Sequence, residues 1–240
     1  MWTRVETGRS GDEVFRRDGE YRKVSPTARL EAATLEWLAS QGLPVPEVID
    51  VTDSWVVTRE VVGRTAAEPW PRGAHQRVVD ALADIAIALH HLPVEGCPFD
   101  RSLATVSPLA RERADTGLVD LDDLDEERRG WSAAQLVAEL DRALPEMIDR
   151  ERLVVTHGDL CLPNVILDPD TVSVIALVDT ARLGRADRYA DVALMHRSLT
   201  SNDLNPQYSG QTGERFLHRL EHDEVDDDKL AFYRLIDEFF

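Results

Sequence analysis

Apolar residues over the first sixty positions come in short alternating runs, and from position 75 onward they recur every three or four residues. The first pattern predicts strands and the second helices. Val14-Phe15-Arg16-Arg17 and Tyr21-Arg22-Lys23-Val24 flank Asp18-Gly19, a dipeptide suited to a tight hairpin turn. Over 29–41, Leu30, Ala33, Leu35, Trp37 and Leu38 predict the apolar face of a helix that Gly42 stops. Pro44-Val45-Pro46 leads into an extended segment, and 55–63 reads as a strand running out at Gly63. The expected organisation is a small β-rich lobe over 1–62 and a larger, mostly helical lobe over 63–240. Helices are expected there over 75–91, over 133–144, from 192 onward, over 214–220 and over 229–240. Segments 115–129 and 200–213 read as surface loops. Two bulky aromatics, Phe239 and Phe240, predict that the last helix is docked.

Within this pattern one stretch carries chemistry. Apolar runs at 154–155 and 165–167 flank a polar loop, and a further run at 174–178 delivers Asp179. Asp159, Asn164 and Asp179 are expected to converge at one end of a small hairpin. Turns are rich in Asp and Asn for conformational reasons alone, so no single one of these residues is informative. Their spacing is. Phosphoryl transfer needs a carboxylate to orient a hydroxyl and accept its proton, and hard oxygen ligands for Mg²⁺. Protein kinases meet that need with a catalytic-loop Asp, an Asn five residues on, and a second metal-binding Asp downstream.

The kinase scheme also asks for a strand lysine paired with a helix glutamate, and Lys23 and Glu31 stand in that order before the aspartate loop. Each has a plain alternative: a solvated strand residue for Lys23, a helix-dipole partner for Glu31. Gly8-Arg9-Ser10-Gly11 is a turn whose backbone amides can approach phosphates. Arg182 can bind phosphate or position a carboxylate by its planar fork. Asp187 and Asp191 belong to a charged run that must satisfy itself if partly buried, and His90 and His91 read as dipole partners closing a helix.

Composition narrows the class. The chain has 240 residues and a formal charge of −18, from 45 acidic against 27 basic residues. That balance opposes nucleic-acid binding and attracts a cationic substrate, although acidity is also a common route to solubility. No apolar run reaches the length of a membrane span, and the N-terminus has no signal-peptide pattern, so a cytoplasmic location without membrane contact is expected. Cys97 and Cys161 are too few for a disulfide framework and read as free thiols.

At this point the residues resemble the aminoglycoside phosphotransferases, which share the protein-kinase fold, and most of all the 3'-phosphotransferases of actinomycetes that act on kanamycin and neomycin. The resemblance rests on 155–168, 182–193, 97–101, 117–128 and the ending 229–240, and spans nearly the whole chain. It implies an α+β, kinase-like bilobal fold that uses ATP and Mg²⁺. Asp159 would be the catalytic base, with Arg182 beside it, and Asn164 and Asp179 the metal ligands. Ser10 and Gly11 match the nucleotide loop, Lys23 and Glu31 the nucleotide-positioning pair, and Arg59 and Val61 the adenine-contacting linker. The amino sugar, a polycation, would meet Asp122, Arg182, Arg197, Asp237, Glu238 and the carboxylate of Phe240. The family usually has a glycine two residues past Asp179, where this chain has Ala181, so backbone strain is expected there. Alternatives within reach are a streptomycin 3''-phosphotransferase and a non-catalytic kinase-like binder of nucleotide or cations. A monomer or weak dimer is expected.

Overall fold

The computed structural model describes residues 1–5, 12–201, 203–208, 210–220 and 225–240. An N-terminal antiparallel sheet runs β1 (Thr3–Val5), β2 (Glu13–Arg17), β3 (Glu20–Val24), β5 (Trp55–Arg59) and β4 (Val48–Val51) in that spatial order. The β2–β3 hairpin turns at Asp18 and Gly19, whose φ values of 32° and 79° suit a tight connection of this hand. Helix α1 (Ala28–Ser40) packs on the sheet through Ala28 and Ala32 against Val56.

The buried face of α1 corrects the expectation. Ala28, Glu31, Ala32, Leu35 and Leu38 point inward, while Leu30 is 40% exposed and Ala33 faces solvent. Glu31 takes an interior position facing Lys23, which offsets part of the cost of burying a carboxylate, while burial still pushes Glu31 above its ordinary value. Leu35 and Leu38 are buried as expected, and hydrophobicity alone misplaces only Leu30 and Ala33.

The chain leaves the first sheet after β5 and passes Gly63, where a Cβ would lie 2.6 Å from Ile166 Cγ2 and 2.8 Å from the Leu167 carbonyl. Only glycine permits that approach. Strand β6 (Arg64–Thr65) then joins β8 (Val165–Leu167) and β9 (Val174–Leu177), and β7 (Leu153–Thr156) pairs with β10 (Gly184–Asp187). The apolar runs on either side of Asp159 thus belong to two different sheets bridged by the polar loop, and β8 and β9 form the hairpin at whose open end Asn164 and Asp179 meet.

Helices α2 (His75–His90), α3 (Leu103–Asp115), α4 (Ala133–Arg150), α5 (Tyr189–Thr200), α6 (Gly210–Arg219) and α7 (Asp227–Asp237) enclose these strands. Helix α3 was not expected from the sequence. Helix α4 opens on a reciprocal Ser132–Gln135 cap and runs beyond the expected end, through Pro145 to Arg150. Burial of Leu144 and Met147 offsets the loss of about 3 kcal/mol that proline imposes on a helix interior. Helix α5 begins three residues before the expected start, and Phe239 after α7 is fully buried, a docked end as expected. Among the described residues no helix is long and apolar enough to cross a membrane.

Candidate active site

Strand β7 ends in Thr156 and hands the chain to His157, Gly158 and Asp159. The loop is held from below by Asp191 at the start of α5, which is completely buried. Its Oδ2 accepts the His157 N–H at 3.0 Å and its Oδ1 the Gly158 N–H at 2.9 Å, while His90 Nε2 lies 3.1 Å from Oδ2. Asp191 and Asp187 are the structural members that the charged run foretold. The ring of His157 is buried, with Nε2 3.0 Å from the Val178 carbonyl and Nδ1 accepting the Asp159 N–H at 3.3 Å. That network places a ring proton on Nε2, facing the Val178 carbonyl.

Gly158 has φ +81°, and a Cβ there would sit 2.1 Å from the Arg182 carbonyl. This glycine is what lets the Asp159 loop and the Asp179 turn press together.

Asn164 Nδ2 donates both to the Asp159 carbonyl at 2.9 Å and to Asp159 Oδ2 at 3.0 Å. With the amide nitrogen committed, its oxygen faces the other way and, having no hydrogen-bond partner among the described residues, can meet a cation. Backbone pairing of Val178 N–H with the Asn164 carbonyl, at 3.0 Å, brings β9 and Asp179 alongside. Burial pushes the Asp159 carboxyl above its ordinary value, with Arg182 pulling the other way. A base so raised is a stronger proton acceptor.

Asp179 adopts the left-handed conformation, φ 61° and ψ 50°, and opens a 3-10 turn, Thr180–Arg182. The strain expected at Ala181 is therefore absent: Ala181 lies inside that turn without a positive φ, and the unusual backbone falls on Asp179, a residue type that tolerates it. Lys23 Nζ lies 2.5 Å from Asp179 Oδ1 and 2.9 Å from Glu31 Oε2. Burial alone would lower the lysine, but Glu31 and Asp179 outweigh it and hold it above the ordinary ammonium value. A Thr34–Thr180 hydroxyl contact of 2.8 Å ties α1 to the same turn. Asp179 and Asn164 offer hard oxygen donors from adjacent segments, a set that suits Mg²⁺ when phosphate and water oxygens complete its shell.

Beside these groups opens a cavity of about 820 Å³ lined by Asp159, Asn164, Asp179, Arg182, Arg197, Asp237, Glu238 and Phe240. Asp237 is gripped on both oxygens, by Arg182 Nη2 and Arg197 Nη2, each at 2.7 Å. Although burial acts to raise Asp237, the two guanidinium groups hold it below the usual carboxylate range. Arg197 also reaches Asp125 at 3.1 Å. Glu238, 3.2 Å from Arg128 and accepting the Asp125 N–H, is pushed by burial up to about 7. The ring of Phe240 is faced by Arg101, Arg113 and Arg182 at 5.2, 5.6 and 5.6 Å from its centroid.

Not every expected residue joins this group. Asp122 is exposed and does not line the cavity; its neighbours Asp120 and Asp123 do. A run of acids gives no sequence signal for which members border a cavity. Arg59 ends β5 in an exposed pair with Glu47 at 2.6 Å, and neither it nor the half-buried Val61 borders the cavity. Ser10 and Gly11 lie outside the described residues. Cys161 lines the cavity 3.8 Å from Asp159 Oδ1, and burial pushes its thiol well up, so it stays a neutral thiol.

Known proteins resemble the chain over its whole length. Over its full length the chain is 48% identical to an aminoglycoside 3'-phosphotransferase of Streptomyces fradiae, covering 95% of that relative. It is 46% identical to another of Streptomyces ribosidificus, again over 100% of this chain and 95% of the relative. The crystal structure of aminoglycoside-3'-phosphotransferase of type VIII superposes with a TM-score of 0.89 at 44% identity, covering 100% of this chain and 93% of that one. Aminoglycoside phosphotransferase APH(3'')-Id of Streptomyces rimosus, in complex with ADP and streptomycin, superposes at 0.85 with 33% identity over 99% and 92% of the two chains. The kinase-like architecture is thereby established. With a profile match running over residues 3–233, the chain belongs to the phosphotransferase enzyme family.

Proposed function

We propose that the chain transfers the γ-phosphoryl group of ATP to the 3'-hydroxyl of kanamycin- and neomycin-type aminoglycosides, and so confers resistance to them in the cytoplasm. The observation that carries this reading is the Asp159 carboxylate, fixed by Asn164, at the floor of a cavity whose wall also presents Asp120, Asp123 and Glu238. A hydroxyl needs the first feature; a polyamine sugar answers the second.

Asp159 accepts the proton of the 3'-hydroxyl as its oxygen bonds to the γ-phosphorus and the bond to the β–γ bridging oxygen breaks, with ADP leaving. Lys23, steadied by Glu31, holds the α/β-phosphates, and Ser10 and Gly11 cover them. Arg59 and Val61 supply backbone to the adenine at the seam between 1–62 and 63–240. Mg²⁺ held by Asn164 and Asp179 neutralises phosphate charge when bound. Arg182, kept by Asp237 beside Asp159, adds positive charge near the transferring group. Since both Asp237 oxygens already accept from arginines and Glu238 is already met by Arg128 and the Asp125 N–H, Asp120 and Asp123 are the better placed acids for substrate ammonium groups, with Asp122 next to them on the rim and Glu238 behind them. Arg197 sets the position of Asp237 and Asp125, and the Phe240 carboxylate completes the negative wall. The enzyme acts as a monomer or weak dimer.

The test is coupled ADP release across an antibiotic panel, with streptomycin included, for the parent and Asp159→Ala. The reading requires release with kanamycin or neomycin, none with streptomycin, and loss of about 10³-fold or more in the variant while it stays folded. Near-parental turnover by Asp159→Ala would sink it.

A further inference from the structure

Lys23 carries one more neighbour than the nucleotide-positioning scheme needs. Its ammonium lies 2.5 Å from Asp179, 2.9 Å from Glu31 and 3.4 Å from Asp12. The register explains why Asp12 is there: Val14 pairs with Lys23, and strand alternation puts a residue two positions before Val14 on the same face of the sheet. An ammonium has three N–H donors. Only the Asp179 contact is a hydrogen bond; with Glu31 and Asp12 as ion-pair partners, three carboxylates around one ammonium leave a local excess of negative charge where a triphosphate must approach.

The three carboxylates are not equivalent. Glu31 is on the buried face of α1, with its side chain 7% exposed, and Asp179 is fixed by the turn that Thr180 anchors to Thr34. Asp12 makes the longest of the three contacts, has a side chain 21% exposed, and has no hydrogen-bond partner of its own among the described residues. It is the group that gives way with least disturbance.

We propose that Asp12 sets nucleotide affinity by competing with the phosphates for Lys23. The inference rests on the reading of Lys23 as the phosphate-holding lysine. Asp12 touches no reacting atom; it acts through Lys23 and through its charge. Its retention keeps the lysine aligned with Glu31 and Asp179 while weakening the hold on nucleotide, which eases ADP release after transfer.

The experiment measures KM for ATP, KM for kanamycin and kcat in the parent, Asp12→Asn, Asp12→Ser, Asp12→Glu and Lys23→Ala, with ADP affinity by calorimetry. Removing one unit charge at this distance lowers KM for ATP and Kd for ADP by about five- to tenfold in Asp12→Asn and Asp12→Ser, more at low than at high salt. Asp12→Glu keeps the parental values, and KM for kanamycin stays within about twofold throughout. A residue with a merely structural role would not tighten nucleotide binding when removed. Unchanged or raised KM for ATP in the Asn and Ser variants, with Lys23→Ala raising it, overturns the competition while leaving the role of Lys23 intact. If Lys23→Ala does not raise KM for ATP, the nucleotide role of Lys23 fails and the inference falls with it.

Discussion

Replacing Asp191 by asparagine tests how the catalytic loop is held. Asp191 is completely buried and serves His157 N–H at 3.0 Å, Gly158 N–H at 2.9 Å and His90 at 3.1 Å, using both carboxylate oxygens. Asparagine offers one oxygen and an amino group. Whichever way it turns, one backbone N–H then faces a donor. Losing a charge-assisted hydrogen bond costs about 1.5–3 kcal/mol, and an orphaned buried donor adds about 1–3. The sum, about 2.5–6 kcal/mol, is a large share of the roughly 5–15 kcal/mol that holds a typical fold together. At about 2–4 °C per kcal/mol for a chain of this size, the melting temperature should fall by about 10 °C. Because the donors belong to the two residues just before Asp159, the base is displaced as well, and an error near 1 Å is worth about 100-fold in rate. Circular dichroism melts and initial rates, taken well below the variant's transition, read the two effects separately. A variant melting within about 2 °C of the parent with kcat within about twofold would refute the claim that Asp191 positions the loop.

Three further substitutions follow. Gly158→Ala drives a Cβ to 2.1 Å from the Arg182 carbonyl in a left-handed conformation, so kcat should drop by at least about 100-fold with a lowered melting temperature; parental kinetics would show that the two loops need not touch. Lys229→Met strands Asp187, whose carboxylate is 2.5 Å from the lysine in the interior, at about 3–5 kcal/mol; denaturant titration checks it, and a loss under about 1 kcal/mol would contradict it. Glu238, raised from 4.5 to about 7 by burial, binds its proton more tightly folded than unfolded. Its contribution therefore falls as pH rises from about 4.5 through 7 and is constant above, by at most about 3 kcal/mol. Melts at pH 5 and pH 8 should show Glu238→Gln gaining on the parent as pH rises, and an equal difference at both would disprove the shift.

What the sequence could reveal follows from how local each interaction is. The convergence of Asp159, Asn164 and Asp179 was readable because their kinase-like spacing sets them beside two short paired strands, and the meeting of Lys23 with Glu31 because a strand and the helix after it are neighbours. On α1 the inward turn of Leu35 and Leu38 was readable too, but the outward turn of Leu30 and Ala33 was not, since the helix gives that interior space to Ala28, Glu31 and Ala32. Helix α3 was hidden by its sparse apolar stripe, Leu103, Val106 and Ala110, interrupted by Pro108. In the acidic loop, Asp125 is held by Arg197 and Glu238 while Asp122 faces water, a distinction that only the arrival of α7 creates. Ala181 misled for a related reason: the glycine expectation concerns a backbone angle, and here the left-handed residue is Asp179 itself.

The central claim is that Asp159 activates a 3'-hydroxyl. Its most direct test offers the enzyme kanamycin and the 3'-deoxy analogue of the same scaffold, with ADP release and the mass of the antibiotic followed together. The account predicts stoichiometric ADP release and a monophosphorylated product from kanamycin, and neither from the analogue. Phosphorylation of both at similar rates would place the reacting hydroxyl elsewhere and contradict the account.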